Sequence, residues 1–359
     1  MAGVYLRSSI AVALAAVLCI FSGCGKAKEK MKMPDIKMVT GEDVIAAAAP
    51  DDDNVWVIGD YGVVFHSGDG GTTWTAQTSG VETTLCDVAF VDKSTGWIGG
   101  TQGVLLSTQD GGTTWVRQDS GTKRHLLSLS FVDKEYGWAV GEFSTILHTT
   151  DGGKTWLRQK EESDRIYNRV CFVDRNNGWI VGEAGIILHT ADGGTTWEQQ
   201  LPESFKRENL EDEYDRPRPT LFGLCFRDKL SGWICGMDST IMHTADGGTS
   251  WEVLKTNKGE PVYNISVKAN RGWVVGNKGT YLLSRDGGMT WERQEENIKS
   301  KLLFADAVFS SQDAGWVVGA SGTILRTTDG GETWKFCSGL SYVFEGFKMP
   351  EGLEKRVIE

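Results

Sequence analysis

The chain has 359 residues, of which 40% are hydrophobic and 24% charged, and its formal net charge is −11. That length suits two ordinary domains or one large repeat domain. The acidic balance excludes duplex nucleic acid as the main partner, because binding there rests on a basic footprint.

Residues 1–23 read as a signal peptide. Arg7 is the only charge before Lys26, and Ile10 to Phe21 has the length of a secretory apolar core. It is short of the ~20 residues that a membrane helix needs. The run ends Phe21-Ser22-Gly23-Cys24, which resembles a bacterial lipoprotein cleavage box, with Phe21 where Leu is more usual. The resemblance implies cleavage before Cys24, lipid on its thiol and a membrane attachment through that lipid. The alternative is an ordinary signal peptide with an incidental cysteine. Removing Arg7 with the leader takes the formal charge to −12. Gly25 stands where an Asp would signal inner-membrane retention, which points to the outer membrane and the periplasmic side of the cell envelope. Residues 24–42 are Lys- and Met-rich without strand or helix period, and read as a tether.

Seven copies of one unit fill residues 43–340. Trp74, Trp115, Trp156, Trp197, Trp251, Trp291 and Trp334 follow one another at intervals of 41, 41, 41, 54, 40 and 43. A second series stands about 18 residues earlier, at Trp56, Trp97, Trp138, Trp179, Trp233, Trp273 and Trp316, and the two series use all 14 tryptophans. A period near 40 with short Val/Ile/Leu/Thr/Trp runs is the pattern of propeller blades. In the second unit the expected strands are Cys86–Phe90 (innermost), Gly96–Gly99, Val104–Thr108 and Thr114–Gln118 (outermost). The 45 glycines fit closely spaced hairpins. One blade cannot bury both faces of its own sheet, so the fold class is all-β, a seven-bladed β-propeller of four-stranded blades. The tryptophans are the expected sheet-to-sheet contacts.

Between the third and fourth strands every unit reads Ser/Thr-x-Asp-Gly-Gly-x-Thr/Ser-Trp. The carboxylate can accept turn amides and the glycines permit positive φ. Asp69, Asp110, Asp151, Asp192, Asp246, Asp286 and Asp329 are therefore expected to form turns, since one acid per blade cannot converge on one substrate atom. Asp51, Asp92, Asp133, Asp174 and Asp228 belong to the first-to-second-strand turns on the same face. This hairpin resembles the Asp box of bacterial-neuraminidase repeats. The longer pattern, as in GWIVGEAGIILHTADGGTTW (Gly178–Trp197) and GWVVGASGTILRTTDGG (Gly315–Gly331), resembles the photosystem II stability/assembly factor propellers of cyanobacteria and chloroplasts. The resemblance covers about Asp43 to Gly339. It implies a propeller that helps assemble a reaction centre by binding its core subunits, and the family is noted for an arginine patch. This chain departs from the family pattern in its lipoprotein box and in an acidic insertion.

No cofactor, metal site or catalytic residue is expected. A sialidase-type glycosidase, the enzyme alternative, needs an arginine triad and a Tyr/Glu pair, whereas the arginines here read as scattered. HExxH, GxSxG, phosphate-loop and CxxCH motifs are missing. His66, His148, His189 and His243 share one blade position, three residues before the Asp-box Asp, and read as structural. Cys86, Cys171, Cys225, Cys235 and Cys337 are an odd number and are expected as buried thiols, Cys225 and Cys235 being offset on neighbouring strands.

The linker after the fourth blade is longer, LPESFKRENLEDEYDRPRP (201–219), and reads as a flap. Basic residues gather before the inner strands: Lys123, Arg124, Arg165, Arg216, Arg218, Lys258, Lys299 and Lys301. Tyr167, Phe222, Tyr263 and Phe304 follow them. A basic, aromatic-studded ring around the axial mouth would suit an acidic or membrane-associated protein partner. The expected function is a non-catalytic assembly platform, acting as a monomer. A structural envelope component is the other reading. Residues 341–359 form a tail.

Overall fold

The computed structural model describes residues 43–159, 163–206, 218–254, 259–294, 298 and 300–337. The signal segment, Cys24, the tether, residues 207–217 of the insertion, the tail 341–359, and Arg216, Lys258 and Lys299 lie outside the described residues. The rest is a ring of seven four-stranded antiparallel sheets, each made of four strands consecutive in sequence.

Blade two shows the unit: Leu85–Phe90 innermost, then Gly96–Gly100, Leu105–Thr108 and the two-residue outer strand Val116–Arg117. Second strands are buried along their whole length in six blades, and in blade six at every residue but the first, Arg271, which explains their near-continuous apolar sequence. Outer strands are short and exposed, which blunts them as edges.

Tryptophan joins each blade to the next. Trp138 stacks on Phe172 of the following inner strand with ring centroids 3.5 Å apart, and Phe172 meets Trp197 edge-on at 5.9 Å. The same sandwich recurs at Trp56–Phe90, Trp97–Phe131, Trp179–Phe226 and Trp273–Phe309. Glycine precedes the tryptophan in six blades, Val55 standing there in the first; a Cβ at Gly178 would lie 2.5 Å from the Phe172 ring. Each second-strand indole then spends its only donor across the seam. Trp56 Nε1 donates to the Gly111 carbonyl, Trp97 to Gly152, Trp138 to Gly193, Trp179 to Gly247, Trp233 to Gly288 and Trp273 to Gly330. Trp316 donates to Gly70 at 3.1 Å and closes the ring. The acceptors are Asp-box glycines, so the repeated turn of one blade is the anchor point of its neighbour's core.

All seven inner strands carry a bulge at their second residue, where the pairing with the second strand slips by one. Ile45, Cys86, Leu127, Asn168, Phe222, Tyr263 and Ala305 occupy it, and every one is half-buried. A bulge leaves its extra residue unpaired and re-aims its side chain. The residues before it, Leu85, Leu126, Tyr167, Leu221, Val262 and Phe304, are fully buried.

Candidate functional site

On one face lie the Asp boxes and the first-to-second-strand turns. Ser67 Oγ donates to Asp69 Oδ1 at 2.8 Å and accepts the Gly71 amide at 2.7 Å. Asp69 also accepts the Thr73 amide and hydroxyl at 2.8 and 2.7 Å. The pattern repeats at Asp110, Asp151, Asp192, Asp246, Asp286 and Asp329. Hydrogen bonds from the Thr196 amide and hydroxyl hold Asp192 below the usual carboxylate range. In the neighbouring turns Asp92 accepts the Ser94 and Thr95 amides and pairs with Lys134 at 2.7 Å, which brings it to about 2. Arg175–Asp133 and Lys229–Asp174 continue this ladder from blade to blade. These carboxylates are consumed by the turns that contain them. Among the described residues no group of His, Cys, Asp and Glu could hold a metal ion.

The histidines lie over the second-strand tryptophans. Trp56–His66, Trp138–His148 and Trp179–His189 stack at 4.1, 4.7 and 4.8 Å, and His243 tilts over Trp233 at 4.9 Å. Burial pushes all four below their ordinary pKa. Cys86, Cys171, Cys225, Cys235 and Cys337 are free thiols, and Cys225 stands opposite Trp233 while Cys235 stands opposite Gly223.

The opposite face carries the linkers and the turns between second and third strands. Those turns repeat one backbone: Tyr61, Gln102, Phe143, Ala184, Asp238, Lys278 and Ser321 all sit at φ between 49° and 58°. Their side chains share nothing. Tyr61 is 69% exposed and Phe143 39%. Arg124 stacks its guanidinium over the Phe143 ring at 3.8 Å. Lys123, Arg165 and Lys301 are exposed. Arg218 donates to the Phe205 carbonyl at 3.1 Å and ties the far end of the insertion to its near end. Acidic residues alternate with these cations; Glu260 pairs with Lys278 at 2.7 Å and Glu142 with His125 at 3.5 Å. Among the described residues, the cations of the basic ring expected from sequence are interspersed with acidic side chains.

The four aromatics expected at the axial mouth fall into two kinds of position on the inner strands. Phe222 and Tyr263 are bulge residues on adjacent blades and meet edge-to-face at 5.3 Å. Tyr167 and Phe304 stand one residue earlier, in the paired position, and are buried at 2% and 0% exposure. Tyr167 packs with Trp138, Val140 and Ile146 and is withdrawn from the contact surface. A shift of one residue along a strand reverses the face.

The residue after the bulge builds a centre that the sequence reading passed over. The inner strands place Asp87, Arg169, Asn264 and Asp306 at this one level. Arg169 reaches Asp87 at 3.6 Å and Asp306 at 3.9 Å, linking blades two, four and seven. Asp87 accepts the Leu129 amide of the next blade at 2.8 Å, and Asp306 accepts the Ala47 amide across the ring closure at 3.0 Å. Asn264 donates its amide to Asp306. Burial raises the Asp306 pKa; Arg169 opposes this and Asp87 adds to it. Aligning the seven units would have exposed the signal, since two acids and an arginine stand in inner strands that hold no other charged residue.

A family model described as photosynthesis system II assembly factor YCF48 matches residues 74–160, 118–209 and 216–302, more than half of the chain. No curated protein sequence matches it. Among solved structures, one described as YCF48 bound to D1 peptide is 22% identical, with a TM-score of 0.66 over 80% of this chain and 94% of the other. YCF48 from Cyanidioschyzon merolae is 18% identical, with a TM-score of 0.66 over 81% and 97%. A GH74 xyloglucanase from Xanthomonas campestris is 11% identical, with a TM-score of 0.68 over 84% of this chain and 55% of its own. At these identities the structural likenesses show the fold alone.

Proposed function

Because the chain belongs to the photosynthesis system II assembly factor YCF48 family, we propose that it is a non-catalytic platform that binds a protein segment on its linker face. The observation that carries this reading is the contrast between the two faces. Side chains repeated on the Asp-box face are consumed by their own turns. Seven different side chains stand on one repeated backbone at the linker-face tips, so the fold does not dictate them. An aromatic residue at positive φ costs on the order of 1 kcal/mol, yet two of the tips carry exposed aromatics, Tyr61 and Phe143. Arg124 is already stacked on one of them. Tyrosine and arginine are the residues that most often carry binding energy at interfaces. The YCF48 structure described as bound to a D1 peptide supports a peptide as the class of ligand.

The cations Lys123, Arg124, Arg165 and Lys301 fit a partner that is acidic at the contact. A sialidase-type glycosidase would need several arginines around one point, whereas Arg169 lies between two aspartates that would repel a substrate carboxylate. The same reading puts a monomeric propeller at the cell envelope through a lipid on Cys24. That part is supported by the sequence alone: Cys24→Ala should abolish palmitate incorporation and release the protein from membrane fractions, and unchanged labelling would overturn it.

The platform is tested by cross-linked affinity capture from envelope fractions, comparing the native chain with Tyr61→Ala, Phe143→Ala and Arg124→Glu combined. Captured partner should drop at least tenfold, and native capture should weaken as salt rises through ~0.1–0.5 M. Lys154→Glu, on the Asp-box face, should change little. Equal loss from both faces, or none from either, would put the surface elsewhere.

A further inference from the structure

The residue three before each Asp-box Asp stands directly opposite the second-strand tryptophan. It is His66, His148, His189, His243, Leu283 or Arg326 in six blades, and Ser107 in blade two. The recesses on either side of blade two differ in size. Between blades one and two, a recess of about 590 Å³ is lined by His66 and does not reach Trp56. Between blades two and three, where serine replaces histidine, the recess grows to about 990 Å³, and Trp97 forms part of its lining. That is the upper end of the roughly 300–1,000 Å³ typical of small-molecule sites.

The lining defines the ligand. Asp110 and Asp151 are held in their own turns, Lys134 pairs with Asp92, and Gln118 donates to the Gly152 carbonyl. The turns leave uncommitted the hydroxyls of Ser107 and Thr150 and the amide of Gln109, with the exposed heads of Arg117 and Lys154 at the rim. Four carboxylates, Asp110, Asp119, Glu135 and Asp151, nearly balance three cations, Arg117, Lys134 and Lys154. Such a wall gives no field to hold a strongly charged ligand. Val116 and Trp97 are its main apolar side chains, too few to desolvate an apolar one. Closely spaced donors and acceptors of both kinds do suit vicinal hydroxyls, each of which donates and accepts.

We propose that this recess is a binding site for a neutral oligosaccharide, distinct from the protein-binding face. Adjacent sugar hydroxyls meet Ser107, Gln109 and Thr150, and the rim groups bracket the chain. The site lies on the Asp-box side, so its failure leaves the platform reading untouched, and the reverse holds too.

The test titrates cellohexaose, laminarihexaose and chitohexaose into the mature protein, following the Trp97 indole N–H by NMR. That proton is bonded to the Gly152 carbonyl at the recess wall. At least one hexasaccharide should shift it saturably. Ser107→His restores the covering ring used by four other blades and should weaken binding at least tenfold with the melting temperature unchanged. Arg117→Ala, on an exposed outer strand, should weaken it several-fold. No saturable shift with any of the three, or equal binding by Ser107→His, would overturn the proposal. Preference for oligogalacturonate over the neutral sugars would overturn the ligand class.

Discussion

At the scale of single residues, the hydroxyl that opens each Asp box does more than the acid that names it. Thr190 is 1% exposed; its Oγ1 donates to Asp192 and accepts the buried Gly194 amide at 2.8 Å. Thr190→Val keeps the shape and orphans that amide, so unfolding in denaturant should show a loss of about 1–3 kcal/mol. Thr195→Val, on the exposed side of the same turn, should stay within about 0.5 kcal/mol. The four histidines over the second-strand tryptophans set a pH dependence. Their folded pKa values lie below the ordinary 6.5, so the unfolded chain binds more protons once pH falls under that value. Stability should therefore be full above pH 6.5 and decline as pH drops from there towards the folded values. Replacing all four by leucine, which blade six already carries as Leu283, should flatten the melting temperature between pH 7 and 5. A slope unchanged by that replacement would assign the effect to other groups.

At the scale of the element, the inner strand separates folding from recognition by one residue. Tyr167→Ala empties a packed position and should cost about 3–5 kcal/mol. Phe222→Ala and Tyr263→Ala remove half-buried bulge residues and should cost far less, while weakening partner capture. Thermal melts run beside the capture assay separate the two effects. The bulge also marks where sequence reading ends. Strand number, blade boundaries and the Asp-box turn were legible because each leaves a local signature: a tryptophan period, glycines at positive φ, a side chain bonding its own turn. A bulge has none here, since the residue it re-aims is Ile, Cys, Leu, Asn, Phe, Tyr or Ala. Tyr167 and Phe222 therefore looked alike, each an aromatic following a basic linker. Arg169, Asp87 and Asp306 were missed for the opposite reason. Their meeting depends on residues from three blades, and no pattern within one unit announces it.

At the scale of the whole molecule, Arg169 is a spoke across the ring. Asp87 and Asp306 are each 5% exposed at the side chain, and removing one partner of such a buried set typically costs about 3–5 kcal/mol. Arg169→Met should lose that much at neutral pH. Asp306 has a folded pKa above its unfolded value, so protonation favours the folded ring at low pH and that benefit fades as pH rises through the folded pKa. The deficit of Arg169→Met should accordingly shrink on acidification, and adding Asp306→Asn should recover part of it. A deficit that is independent of pH would mean that the arginine acts through packing alone. The join between blades seven and one shares its indole bond with every other join and its amide-to-carboxylate bond with the join of blades two and three. Trp316 donates to Gly70, and the Ala47 amide meets Asp306 as the Leu129 amide meets Asp87. Among the described residues, no sheet borrows a strand from the far end of the chain. The order in which the blades are synthesised is thus an accident of where the gene begins. A circular permutant opened in the linker at Gly80, with a short Gly/Ser bridge from residue 337 back to residue 43, should melt within a few degrees of the parent. The same freedom lets blades be gained, lost or shuffled as whole cassettes over evolutionary time, with each newcomer needing only a tryptophan to give and a glycine carbonyl to receive.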